Sequence, residues 1–245
     1  MSRTALMRVD QAAVEASAAE LGDVIERMFA PLTKMAGALA AAWDGAAGSP
    51  YGTGELMELQ GIIFDSLDAV SEYDSAGYVM YPGILSDRDQ YLEWWHRTDQ
   101  SGFQPLILNL DPGSPDHYDY FNMEWFVAAR EEARRFVSGP LIDLPCAESH
   151  ILTFSQPVVW QDRLLGIAGA DVAMSRLEML IVPPLRRLQY PAVLVNGNRR
   201  VVAAGDARWA AGDKLRTMPS VGDPAWQTVA PVTPDQGWVL AVSAP

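Results

Sequence analysis

The stretch GPLIDLPCAESHILTFSQPVVWQDRLLGIAGADVAM, residues 139–174, is almost free of charge, yet it carries Asp143 and Asp171. Two apolar runs, 150–159 and 164–172, flank a short turn and predict a β-hairpin. Both faces of the second run are apolar, which predicts a strand that is covered on both sides. A carboxylate in such a strand is costly unless it has a partner. The sequence therefore raises the question of what Asp171 binds.

Two explanations for Asp171 remain open from the residues alone. In the structural one, it pairs with a backbone amide or with Arg97 or Arg130. In the functional one, it binds a ligand ammonium beside an aromatic wall. Two charge-assisted hydrogen bonds of about 1.5–3 kcal/mol each, with about 0.5–2 kcal/mol from a ring, would hold a small amine near micromolar affinity after the costs of association.

Aromatic side chains are dense in the segment that precedes this hairpin. The predicted pocket walls are Tyr118, Trp125 and Phe126, with Tyr120 and Trp95 as weaker candidates. Most aromatic residues at this density build the core of a domain, and the same reasoning assigns Trp94, Phe121 and Phe136 to the core.

The overall composition excludes several functions. The chain has 245 residues, 49% of them hydrophobic, with a formal net charge of −13. This charge argues against nucleic-acid binding and favours a small cationic ligand. The single cysteine, Cys146, excludes an intramolecular disulfide. Neither a signal peptide nor an apolar run of about 20 residues is found, so we expect a cytoplasmic chain without a membrane span.

The sequence lacks the usual enzymatic motifs. Ser149 and His150 are neighbours, so in a strand they point to opposite faces and cannot pair. No nucleophile elbow or phosphate-binding loop is present, and the three histidines lie in unrelated segments. These observations predict a non-enzymatic binding protein with neither a cofactor nor a metal.

The N-terminal region is patterned as a long helix over residues 10–43. Its apolar stripe follows steps of four and three and is suited to pack on a sheet or on a second copy of the chain. Pro31 interrupts the stripe and predicts a kink or two abutting helices. The stripe consists of Leu21, Ile25, Met28, Leu32, Met35, Leu39 and Ala42.

Further elements follow along the chain. We expect a helix over 55–70, a short strand ending at Pro82, a helix beginning near Ser86 that carries both Trp94 and Trp95, and a helix with Trp125 and Phe126 near its start. Gly166 and Gly169 predict close packing of another element against the second strand of the hairpin.

The C-terminal third is expected to form a second, smaller sheet. Ser175 and Glu178 predict a capping box for a helix that ends before Pro183. Asn196-Gly197 predicts a hairpin, and two further strands are expected near 226–232 and 237–242.

The order YDYFNMEWF, GPLID and ILTFSQPVVWQDRLLGIAGAD resembles the ligand-binding module of double Cache sensor domains. The resemblance implies an α+β fold in which a long N-terminal helix precedes two PAS-like modules with antiparallel sheets. It implies a helical segment over 1–54, a larger ligand-binding module over 55–184 and a smaller module over 185–245.

In amino-acid-binding members of that family, aromatic residues, an Arg and two Asp surround the ligand. By resemblance, the first Tyr corresponds to Tyr118, the aromatic pair to Trp125 and Phe126, and the two carboxylates to Asp143 and Asp171. Two positions depart from the pattern. Met123 replaces the Arg that grips the ligand carboxylate, and Leu141 replaces a second Tyr. These departures favour an amine over an α-amino acid.

The resemblance predicts a sensor that binds a small amine or amino-acid-like ligand in its larger module. Without a membrane segment or output domain, it is expected to act through a homodimer formed by the N-terminal helix, or through a separate regulator or transporter. Two alternatives are a structural dimerisation module whose pocket has lost its ligand, and an enzyme of amine or amino-acid metabolism that uses Asp143 or Asp171 as a general base.

Overall fold

The computed structural model describes residues 9–46, 49–98, 102–143 and 149–244, without the side chains of 141–143 and 149. A long helix precedes a six-stranded and a four-stranded antiparallel sheet, which confirms the predicted α+β class. Two compact units are distinguished. The larger unit comprises Arg27–Ser138 and Ile142–Met174, and the smaller unit holds the rest. The division at 1–54, 55–184 and 185–245 stays a prediction.

The first helix, α1 (Gln11–Gly45), ends two residues later than predicted and remains one helix through Pro31, so the expectation of two abutting helices there is wrong. The Oδ1 atom of Asp10 accepts hydrogen bonds from the backbone N–H groups of Ala12 and Ala13 at its start. Six of the seven predicted stripe residues are buried, with at most 1% of their surface exposed. The stripe is therefore a core-forming face of the helix.

The six-stranded sheet of the larger unit has the order β3-β2-β1-β6-β5-β4. Its central hairpin, β5 and β6, confirms the strand pair predicted from residues 150–172. The strands are β1 (Tyr73–Met80), β2 (Leu92–Thr98), β3 (Gly102–Pro105), β4 (Phe136–Asp143), β5 (Ser149–Trp160) and β6 (Arg163–Ala173).

Both predicted glycine positions in β6 meet a close neighbour. A Cβ atom at Gly166 would lie 2.2 Å from the carbonyl oxygen of Val79 on β1, and the φ of +154° at this residue also favours glycine. A Cβ atom at Gly169 would lie 3.0 Å from the ring of Trp94. The expected close packing against this strand is confirmed.

The predicted helix carrying Trp94 and Trp95 is wrong, since these residues lie in strand β2. Ser86 indicated only a possible helix start. The segment forms a strand because it pairs with both β1 and β3 and because aromatic residues favour strands. The helix predicted over 55–70 is two helices, α2 (Thr53–Met57) and α3 (Gln60–Ala69). Helix α4 (Glu124–Glu132) starts beside Trp125 and Phe126, as predicted.

The smaller unit holds the sheet β8-β7-β10-β9. Its strands, all predicted from the sequence, are β7 (Ala192–Val195), β8 (Val201–Ala204), β9 (Trp226–Thr233) and β10 (Trp238–Ser243). Helix α5 (Met174–Arg186) corrects two expectations, because it includes Pro183 and Pro184 and because Ser175 lies inside the helix rather than at its N-cap. Ile181 and Leu185 are buried on either side of the two prolines, and tertiary packing of this kind can override local helix preference.

No helix in the described part of the chain has both the length and the apolar character needed to cross a membrane.

Candidate functional site

The two faces of the six-stranded sheet have different surroundings. Strand register places Ser75, Trp94, Thr153 and Asp171 on one face, because Ser75 and Thr153 both lie opposite Asp171 and Trp94 lies opposite Gly77. We call this the pocket face. The other face meets helix α1, where the Tyr78 hydroxyl donates to the carbonyl of Met35 at 2.9 Å. We call it the helix face.

A cavity of about 60 Å³ lies on the pocket face. Its described aromatic walls are Trp94, Tyr118 and Trp125, and its polar walls are Thr153 and Asp171. The remaining walls are aliphatic: Val79, Leu92, Leu106, Leu108 and Ile151. The cavity therefore combines one carboxylate with a mainly apolar and aromatic surface, as is usual for small-molecule sites.

Both oxygens of Asp171 accept hydrogen bonds from neighbouring strands. The hydroxyl of Ser75 donates to Oδ2 at 2.8 Å, and that of Thr153 donates to Oδ1 at 2.7 Å. The Nε1–H group of Trp94 donates to the Ser75 hydroxyl oxygen at 2.8 Å. These bonds fix the orientation of the carboxylate and of one aromatic wall, while Asp171 stays partly exposed to the cavity.

Helix α4 is attached to the sheet by a buried serine. The Ser155 hydroxyl lies 3.2 Å from the carbonyl oxygen of Trp125 and 3.3 Å from that of Phe136. This contact fixes the start of α4, so that Trp125 reaches the cavity. The aromatic wall is thus built on regular elements rather than on a loop alone.

Three of the seven predicted site residues, Tyr118, Trp125 and Asp171, come together around the cavity. Tyr120 and Phe126 lie beside them but are completely buried in the core. The Tyr120 hydroxyl donates to the carbonyl of Met80 at 3.0 Å, and burial raises the pKa of this tyrosine.

The two neighbouring tryptophans of β2 point to opposite faces. Trp95 lies on the helix face, where its Nε1–H donates to Glu93 and its ring packs edge-on against Phe64. Trp94, which sequence reasoning had assigned to the core, is 6% exposed and lines the cavity. The signal that could have found it was strand alternation, which the helix prediction concealed.

Asp143 stands at the end of β4, but its side chain lies outside the described residues, as does that of Leu141. The role predicted for Asp143 therefore stays a prediction. Met123, which replaces the family's Arg by resemblance, is 37% exposed at the start of α4 and is not among the described lining residues.

The two arginines considered as partners of Asp171 bind other groups. Arg97 donates to the carbonyl oxygens of Leu67 and Tyr73 on the helix face. Arg130 donates to the carbonyl oxygen of Phe121 at 3.0 Å and to Glu131 at 2.8 Å. Neither arginine is among the described residues that line the cavity.

Within the described residues, no group of three or more His, Cys, Asp or Glu side chains is placed to hold a metal ion.

Comparison with known proteins identifies the class to which this cavity belongs. Residues 59–179 match the family described as methyl-accepting chemotaxis protein-like, first PDC sensor domain. This range includes the strands and the helix that build the cavity. No curated protein sequence matches the chain significantly.

Several solved structures share the fold across nearly the whole chain. Methyl-accepting chemotaxis protein X has a TM-score of 0.63 at 13% identity, with 96% of each chain covered. The ligand-binding domain of the Pseudomonas aeruginosa chemoreceptor PctB, in complex with L-Arg, has a TM-score of 0.61 at 16% identity and covers 96% of this chain and 92% of its own.

A third structure is the ligand-binding domain of the P. aeruginosa chemoreceptor PctC in complex with GABA. Its TM-score is 0.58 at 18% identity, with 94% of this chain and 96% of that chain covered. Residues 59–179 therefore form a PDC-type sensor domain, and the chain as a whole has the double Cache fold seen in sensor domains of chemoreceptors and histidine kinases. It is a ligand-binding domain of a non-catalytic sensor family.

Proposed function

We propose that the domain senses a small organic cation, whose ammonium group binds Asp171 within the walls of Trp94, Tyr118 and Trp125. The observation that carries the proposal is the placement of one oriented carboxylate in an aromatic cavity on the pocket face. A cation there gains both charge attraction and contact with aromatic rings. Asp143 remains a predicted second carboxylate.

The charge distribution supports a cationic ligand. Lys and Arg balance Asp and Glu in the smaller unit, so the whole formal net charge of −13 belongs to the larger unit, which contains the cavity. A field of this sign attracts cations and repels carboxylates before contact. It therefore favours an amine over an anionic ligand.

The cavity also favours an amine over an α-amino acid. None of its described lining residues is Arg or Lys, so none of them can form an ion pair with a ligand carboxylate. The complexes of PctB with L-Arg and of PctC with GABA support an ammonium-bearing ligand as the wider class. That no described lining residue is a cation supports the narrower class, an amine without a carboxylate.

Output through a partner is part of the same proposal. The domain would signal by a change in its contact with a second copy, with a separate regulator or with a transporter, since a ligand can shift an equilibrium between two conformations only if it prefers one. A cytoplasmic location stays a proposal of the same kind.

A thermal-shift screen tests the ligand class. The purified domain is heated with n-propylammonium, GABA, L-valine, L-arginine or propionate, and the same panel is applied to Asp171→Ala. A ligand at one hundred times its Kd stabilises the folded state by about 2.7 kcal/mol, which raises Tm measurably.

We expect a rise in Tm with n-propylammonium, a smaller rise with the amino acids and none with propionate. The rise should disappear in Asp171→Ala. A rise with propionate alone, or an equal rise in the variant, would contradict the proposal. Ser66→Ala serves as the control, because the Ser66 hydroxyl bonds to Ile62 within α3 and is remote from the cavity.

A further inference from the structure

A second cleft lies at the other end of β6 from Asp171, beside the turn that joins β5 to β6. Leu164, in its wall, precedes Asp171 by seven residues, which separates the two positions by about 20 Å along the strand. The cleft is therefore distinct from the cavity on the pocket face. It has a volume of about 310 Å³, and its described walls are Tyr81, Pro82, Ile84, Arg130, Arg163 and Leu164.

Arg130, on helix α4, is held in a fixed position at one wall of this cleft. Its guanidinium carbon lies 4.3 Å from the centre of the Phe121 ring, and its Nη1 donates to the Phe121 carbonyl oxygen at 3.0 Å. Its Nη2 donates to Glu131 at 2.8 Å, but the Glu131 side chain is 58% exposed, and exposed ion pairs are weak. Because a guanidinium has five N–H groups, Arg130 retains donors for a ligand.

Arg163 supplies a second guanidinium from the first position of β6. It pairs with Trp160 across a two-residue turn, in which Gln161 and Asp162 have φ values of +46° and +62°. A tight turn of this kind fixes the register of the hairpin and hence the position of Arg163. The guanidinium carbon lies 6.0 Å from the centre of the Trp43 ring, and no described residue accepts a hydrogen bond from it. A ligand that binds Arg163 therefore displaces no described partner.

The remaining walls of the cleft are a phenol and three apolar side chains. The Tyr81 ring packs edge-on against Phe121 with 5.7 Å between the ring centres, and its hydroxyl has no hydrogen-bond partner among the described residues. Pro82, Ile84 and Leu164 have no polar side-chain atoms, and no described wall residue is acidic. Two guanidinium groups and a hydroxyl are donors that suit the oxygens of a phosphate group, whereas the apolar walls suit an apolar substituent.

We propose that this cleft is a second ligand site, which binds a small phosphate monoester with an apolar substituent. Such a group carries a charge of about −2 above its second pKa, so that Arg130 and Arg163 each pair with its oxygens. The formal net charge of −13 opposes the approach of any anion, so binding depends on short-range contacts with both arginines. The inference goes beyond the proposed function and does not depend on it.

Three probes of similar shape test the charge that the cleft requires. Phenyl phosphate is a dianion at pH 8, phenyl sulfate is a monoanion of nearly the same shape, and phenol is neutral. Isothermal titration of the unmodified domain, in a buffer without phosphate or sulfate, measures all three. We expect phenyl phosphate to bind about tenfold more tightly than phenyl sulfate, because its second charge pairs with the second arginine, and phenol to bind most weakly.

Arg163→Gln tests the arginine whose guanidinium has no described hydrogen-bond partner. Phenyl phosphate should bind at least about tenfold more weakly to this variant. The substitution breaks no described hydrogen bond, so we expect normal folding, which urea denaturation verifies. Arg134→Gln is the matched control, because Arg134 also lies over a phenylalanine ring and pairs with a glutamate but is not a described wall residue of the cleft. It should bind phenyl phosphate as the unmodified domain does.

Four results would contradict the proposal. Failure of phenyl phosphate to bind overturns the site, and equal binding of phenyl sulfate overturns the requirement for a dianion. Equal losses in Arg163→Gln and Arg134→Gln would show only a general attraction of anions to positive charge. Asp171→Asn should bind phenyl phosphate normally, and a loss of binding there would overturn the separation of this cleft from the cavity on the pocket face.

Discussion

The two faces of the six-stranded sheet each hold a carboxylate and a tryptophan, yet their surroundings differ. On the helix face, Glu93 is 5% exposed and accepts hydrogen bonds from Gln60, Tyr91 and Trp95. On the pocket face, Asp171 is held by two hydroxyls beside a cavity. On the helix face the Glu93 carboxylate is enclosed by its donors, whereas on the pocket face Asp171 borders a cavity.

This difference shows that hydrogen bonding to a carboxylate does not by itself reveal the role of that carboxylate. Glu93 has three neutral donors on its two oxygens and lies under α3, so its interactions are complete within the protein. Asp171 belongs to a cavity whose other walls are mostly apolar. Matched substitutions can therefore distinguish the two faces. We expect substitutions on the helix face to lower stability and substitutions on the pocket face to lower ligand affinity.

The largest effect is expected from Glu93→Ala. It leaves three partly buried donors without their acceptor, those of Gln60, Tyr91 and Trp95, so we expect a loss of about 3 kcal/mol in the free energy of unfolding. Urea denaturation measures it. An unchanged midpoint would show that water replaces Glu93 as the acceptor and that its donors do not enclose it.

The tryptophan pair gives a matched comparison on one strand. Trp94→Leu should weaken binding of n-propylammonium about tenfold, because it removes an aromatic wall. Trp95→Leu should leave affinity unchanged and lower stability instead, because that ring packs on Phe64. Titration and urea denaturation of both variants check this. Equal losses of affinity would show that the faces are coupled.

Gly169→Ala tests how tightly Trp94 is packed in the cavity wall, through the addition of a single methyl group. The added Cβ would lie 3.0 Å from the Trp94 ring and 3.1 Å from the carbonyl oxygen of Phe154. We expect Trp94 to shift toward the cavity and affinity to fall about threefold to tenfold, with stability reduced by about 1–3 kcal/mol. A variant that binds as tightly as the unmodified domain would show that the wall has room to adjust.

The smallest change in the free energy of unfolding at neutral pH is expected from Tyr51→Phe. Burial, with the charges of Glu55 and Glu58, raises the pKa of Tyr51 from 10.0 to about 12. Its hydroxyl is buried without a partner among the described residues. The folded state holds this proton more tightly than the unfolded state, so its contribution to stability is complete below about pH 10 and is lost as the pH rises toward 12.

Tyr51→Phe should therefore be nearly neutral at pH 7 and should lose less stability between pH 10 and 11.5 than the unmodified domain. Urea unfolding across this range measures the difference. Tyr73 and Tyr78, whose pKa values burial also raises, remain in both proteins and provide the common background. Parallel pH curves would contradict the role of Tyr51.

Much of the fold could be predicted because local signals agreed with tertiary packing. The stripe of α1, the β5–β6 hairpin and the strands of the smaller sheet follow from apolar periodicity and from Asn196-Gly197. Prediction failed where packing overrode local preference. Strand β2 was mistaken for a helix, and α5 continues through Pro183 and Pro184.

The site could be predicted only in part for the same reason. Tyr118, Trp125 and Asp171 were found from composition and resemblance, and they meet at the cavity. Trp94 was predicted to lie in the core, because a helix over this segment does not place Trp94 and Trp95 on opposite faces as a strand does. Ser75 and Thr153 were missed because a hydroxyl opposite a carboxylate is visible only once the strand register is known.

The most direct test of the difference between the faces compares two isosteric substitutions, Asp171→Asn and Glu93→Gln. Each is titrated with n-propylammonium and then unfolded in urea. We predict that Asp171→Asn weakens binding of this cation at least about tenfold with little change in stability, whereas Glu93→Gln lowers stability and binds as the unmodified domain does. If Asp171→Asn binds the cation normally, Asp171 is a structural carboxylate and the cavity is not an ammonium site.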